Sequence, residues 1–65
     1  MKSKKPYTVS AWIDGASYDA NVRPDWQETV MALSESHADG IGDYLSTKAI
    51  GTCDVVLSVL APLAS

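Results

Sequence analysis

Residues 7–13, Tyr-Thr-Val-Ser-Ala-Trp-Ile, alternate in polarity and run straight into an Asp-Gly pair. No other feature limits the possible folds as much. Asp14-Gly15 is a strong two-residue hairpin signal, because both central positions of a type I′ turn need positive φ. Such a turn sets Ile13 opposite Ala16, Ala11 opposite Tyr18, Val9 opposite Ala20 and Tyr7 opposite Val22. All eight are apolar or aromatic and share one face. The other face pairs Trp12 with Ser17, Ser10 with Asp19 and Thr8 with Asn21, and is polar except for Trp12. Turn and pattern agree, so a β-hairpin over 7–22 is the expectation.

Arg23-Pro24-Asp25 then reads as a helix opening, with proline suited to the first helical position and acids to the positive end of the dipole. The spacing predicts a helix over 24–38, ended by Asp39 and a left-handed Gly40. Ile41, Tyr44, Leu45, Lys48 and Ala49 predict a second, short helix over 41–49, ended by Gly51. Cys53 to Leu60 is rich in Val and Leu and predicts a third strand beside the first. Cys53, Val55, Leu57 and Val59 would face the helices, and Asp54, Val56, Ser58 and Leu60 would face outward. The expected class is α+β: a small three-stranded, mainly antiparallel sheet with two helices on one face, in the order β-β-α-α-β.

At 65 residues the chain suits one small domain, 1–65, with a thin core. Its 46% hydrophobic content argues against disorder. Lys2, Lys4 and Lys5 form a basic tail over residues 1–5, expected to fray. The remainder holds two basic residues, Arg23 and Lys48, against eight Asp and Glu, a balance of −6. Such a body repels phosphates, which disfavours direct contact with nucleic acid or anionic membrane and favours a basic protein surface. The lysines at the start do not lead into a long apolar stretch, and Val55 to Ala64 is about half the length that crosses a bilayer. A cytoplasmic protein is expected.

Little in the chain suits catalysis. His37 is the sole histidine and projects from the apolar side of the predicted helix, where packing explains it without a nucleophile or orienting partner. Cys53 stands alone, so it forms no intrachain disulfide, and its apolar neighbours do not activate a thiolate. There is no cysteine or histidine pair for zinc and no calcium-loop pattern. Gly40 and Gly42 lack the lysine of a phosphate loop, and Asp39 and Asp43 flank them. The expectation is a non-enzyme without cofactor or metal.

Two surface features remain. Asp25, Glu28, Glu35 and Asp39 fall on one face of the predicted helix, without the alternating signs of an ordinary solvated face. Asp43, Asp14 and Asp19 would extend the field. The row would span about 21 Å, sparser in charge than a DNA strand, so those further carboxylates are needed for a decoy. Trp12 is the second feature. It is the one large apolar group on the polar hairpin face, where Val56 and Leu60 would join it as a partner or homodimer patch. The bland alternatives are a solvated charge row and a Trp12 covered by the C-terminal segment.

In Asp25, Glu28, Glu35 and Asp39, supported by Asp14, Asp19 and Asp43, in its size and in its lack of catalytic motifs, the chain resembles the small phage-encoded anti-CRISPR proteins. That resemblance implies an inhibitor with a DNA-mimicking surface. It would block the basic DNA-recognition cleft of a Cas effector subunit in the host cell cytoplasm. A second resemblance is to HicB-type antitoxins, through Ile13-Asp14-Gly15, Tyr18-Asp19-Ala20-Asn21-Val22, Pro24-Asp25 and the stretch Glu28 to Leu33. The third strand of that family, with its Pro-Gly-Cys element, is missing here. This likeness implies an interaction module, an antitoxin or homodimeric adaptor, working through an apolar sheet face.

Overall fold

The computed structural model describes residues 3–61. The protein is α+β, with a three-stranded antiparallel sheet and two helices. The order is β1 (Lys5–Trp12), α1 (Gly15–Asp19), β2 (Trp26–Ala32), α2 (Glu35–Ile50) and β3 (Val55–Leu60). β1 is central, with β2 and β3 antiparallel on either side of it. The expected order β-β-α-α-β is thus corrected to β-α-β-α-β.

The hairpin turn is the first local correction. Asp14 has a φ of −114°, outside type I′ geometry, and its carboxylate accepts from Ala16 N at 3.0 Å. Aspartate is as good a helix N-cap as it is a turn residue, and here the cap wins. Residues 15–19 become α1, and Asn21 takes the left-handed φ of 59° that asparagine tolerates. The partner of β1 comes later. Tyr7 pairs with Val30, Val9 with Glu28 and Ala11 with Trp26.

The middle of the helix predicted over 24–38 is therefore a strand, and only its last four residues are helical. Trp26, Thr29 and Val30 favour the pleated backbone, and Trp26, Val30 and Ala32 supply apolar side chains on the Val9 side of the sheet. The helix starts at Glu35, and Ser34 is its cap, accepting from His37 N at 3.2 Å. His37 returns the favour to the preceding turn, as its Nδ1 accepts from Leu33 N at 3.0 Å. Ser34→Ala should lower stability by about 1 kcal/mol, seen as an earlier urea midpoint with an unchanged slope.

Gly40 does not end a helix. α2 runs unbroken to Ile50 and joins what read as two helices, with Gly51 (φ 95°) as its cap. Its buried residues are Ala38, Gly42 and Ser46, one per turn. This seam of small side chains lets α2 lie close on the sheet over Val9, which is fully buried. Tyr7, Val30, Ala32 and Ala38 complete the core, with Trp26, Ile41, Leu45 and Val56 packed around it.

β3 lies beside β1 as expected, but its faces are exchanged. Ser58 is opposite Val9, buried, and donates its hydroxyl to Asp39 on α2. Leu57 and Val59 point away from the helix and are exposed. The tight seam under α2 accommodates serine where leucine would be too large. The two helices also do not share one face. α2 covers the Val9 side, whereas α1 sets Tyr18 against Trp12, which alternates to the other side.

Lys5 is not part of a loose tail, since it opens β1 opposite Ala32. The fraying expected at Met1 and Lys2 lies outside the described residues, as does most of the C-terminal segment weighed as the alternative cover for Trp12. Among the described residues, no helix is long and apolar enough to cross a membrane.

Candidate functional site

The carboxylates read as one helical row occupy three different settings. Asp25 precedes β2, where its Oδ2 accepts from Ile13 N at 2.8 Å and its own N–H donates to Ala11 O at 2.9 Å. Glu28 lies in β2 opposite Val9 and is exposed. Glu35 is exposed in the first turn of α2, and Asp39, one turn on, is half-buried and bonded by Ser58. The single face of Asp25, Glu28, Glu35 and Asp39 does not exist, because a strand, a turn and a helix share the span.

Two new groupings replace it. Glu35, Asp39 and Asp43 are spaced four apart on α2 and form one row. Asp14, Asp25 and Asp54 gather at the end of β1, where each carboxylate accepts a backbone N–H. The donors are Ala16, Ile13 and Gly15, the last at 3.2 Å from Asp54. These three hold the chain as it leaves the sheet. Asp19 is exposed at the end of α1 and joins neither group.

Trp12 is not an exposed anchor. It is 8% exposed, meets Tyr18 edge-on with ring centres 5.0 Å apart, and donates Nε1–H to Val22 O at 2.7 Å. The segment 17–22 covers it. Val56 packs against the core on the α2 side, so the expected Trp12–Val56–Leu60 patch is not formed.

The exposed apolar side chains on the open side of the sheet are residues that the sequence pattern placed elsewhere. On the side of the sheet away from α2, the rows are Thr29–Thr8–Val59 and Gln27–Ser10–Leu57, with Met31 beside Pro6. Leu57, Val59 and Met31 are 41%, 56% and 51% exposed. A shallow hollow of about 650 Å³ continues from Leu57 to Trp12, Tyr18, Val22 and Pro24. The available signal was the composition of β3, which is apolar at five of six positions and so has apolar residues on both faces.

Reactive groups are dispersed. His37 is engaged in the α2 cap, and Cys53 is half-buried with its thiol toward Gly51 O at 3.5 Å. Among the described residues, no group of three or more His, Cys, Asp or Glu is placed to hold a metal ion. No protein-family model, curated protein or solved structure matches this chain.

Proposed function

We propose that this chain is a non-enzymatic, cytoplasmic protein-binding module that docks its partner on the sheet side left uncovered by α2. The observation that carries this reading is the exposed set Leu57, Val59 and Met31, set among Thr8, Ser10 and Thr29 on the open side of the sheet. A small domain gains stability by burying such side chains, so gathering three of them in water on one sheet side favours an interaction role. No cofactor, nucleic acid or membrane enters the proposal.

A second reading is favoured by the row Glu35, Asp39 and Asp43. It is an inhibitor whose carboxylates fill a basic, nucleic-acid-binding cleft, such as the DNA-recognition site of a CRISPR effector. Glu28 stands apart from that row on β2, so the charge pattern covers less length than the sequence suggested.

One capture experiment from cell extracts separates the two. Under the first reading, the partner survives high salt and is lost with Leu57→Ser plus Val59→Ser. Under the second, it is released by salt and by Glu35→Lys plus Asp43→Lys, while the apolar variants retain it. Recovery of the chain alone, sensitive to the apolar pair, makes the partner a second copy.

A further inference from the structure

The free edge of β3 is a distinct feature. Ala61 N donates to Pro6 O at 3.0 Å, so positions 61, 59, 57 and 55 turn their backbone groups toward β1. By the same alternation, the N–H and C=O groups of Val56, Ser58 and Leu60 point outward. Among the described residues, β3 lies at one end of the sheet with no strand beyond it. Its sequence, Val-Val-Leu-Ser-Val-Leu, contains no charge and no proline. Edges are commonly blunted by those devices, and the other edge, β2, carries Glu28.

The two sides of this edge differ in chemistry. Leu57 and Val59 flank it on the open side. On the other side Asp39 sits over Ser58, with Glu35 and Asp43 one turn before and after it on α2. A strand added here would place alternate side chains on the two sides. Those opposite Leu57 and Val59 would meet apolar surface, and those opposite Val56 and Ser58 would meet carboxylates. Lys5 lies near Leu60, so the preference for positive charge is confined to the Val56–Ser58 end.

We infer that β3 accepts an extended segment of a partner protein as a fourth strand, selecting one that alternates apolar with basic residues. This rests on reading the chain as a protein-binding module, and it names the shape and charge of what is bound. A second copy of β3 is disfavoured, because pairing two such edges would bring two acidic α2 rows to the same side of the sheet.

The test uses a short blocked peptide alternating valine and lysine, added to the full chain while amide hydrogen exchange is followed by NMR. Val56, Ser58 and Leu60 should slow by at least about tenfold, with Val55, Leu57 and Val59 little changed. A valine–glutamate peptide, or valine and lysine in separate blocks, should give no protection. Asp43→Asn should weaken the effect. Leu60→Pro should block it, and proline is tolerated there because that N–H faces outward. Absence of protection overturns the inference, as does equal protection by the glutamate peptide. Protection that grows with protein concentration alone also overturns it, in favour of self-pairing. Failure with peptides leaves the open-face proposal to stand or fall on its own capture experiment.

Discussion

Gly42→Ala should destabilise the protein by about 2 kcal/mol, lowering the thermal midpoint by on the order of 10 °C in a chain this small. A Cβ at Gly42 would overlap Val9 Cγ1 and come within 3.0 Å of Val9 Cβ. Val9 cannot yield easily, because it is fully buried in the central strand between β2 and β3. Gly40 is the internal control. Two residues earlier on the same helix, its added Cβ would meet nothing within 4 Å. Gly40→Ala should therefore stabilise by about 0.5–1 kcal/mol through helix propensity. Removing the obstacle should also help, so Gly42→Ala should cost about 1 kcal/mol less in a Val9→Ala background. Equal effects of the two glycine substitutions in urea unfolding would contradict the close approach of α2.

The second large effect concerns binding. Leu57→Ser with Val59→Ser should reduce partner affinity by on the order of 30-fold, while the protein stays folded with an unfolding midpoint lowered by on the order of 10 °C. Each side chain is about half exposed in the free protein, so folding has used only part of its burial. Completing that burial at an interface is worth about 1 kcal/mol for each such side chain, or about 2 kcal/mol for the pair. A loss of binding accompanied by a collapse in stability would instead mark these residues as structural.

The parts of the fold legible in sequence were those fixed by local chemistry. β1 showed its alternation, Gly51 its helix-ending role, and β3 its Val and Leu run between breakers. The misread parts had two local solutions. Asp14-Gly15 suits a hairpin turn and a helix cap equally well, and the carboxylate bond to Ala16 N decides. Trp26, Val30, Leu33 and His37 fit a helical period, yet Trp26, Val30 and Ala32 also fit a strand. That choice depends on β1, more than a dozen residues away, and no local window contains it. Gly40 looked like a terminus because glycine usually disfavours a helix interior, but the helix is held by the seam at Ala38, Gly42 and Ser46.

The candidate site was legible in kind more than in place. An acidic body and an apolar sheet face were both apparent, but the residues exchanged roles. Trp12 became part of the covered interior and Asp25 a backbone anchor, while Leu57 and Val59 came to the surface. The face of β3 could not be assigned from its own residues, since five of its six side chains are apolar. It follows from Ser58 lying beneath Asp39, a contact between segments 19 residues apart.

The measurement that bears most directly on the central claim is calorimetric titration of the captured partner at low and high salt, with wild type and with Leu57→Ser plus Val59→Ser. Docking on the open sheet side predicts a negative heat-capacity change, weak salt dependence and loss of affinity in the variant. A steep fall with salt, together with unchanged affinity in the variant, would contradict it and assign binding to the carboxylates of α2.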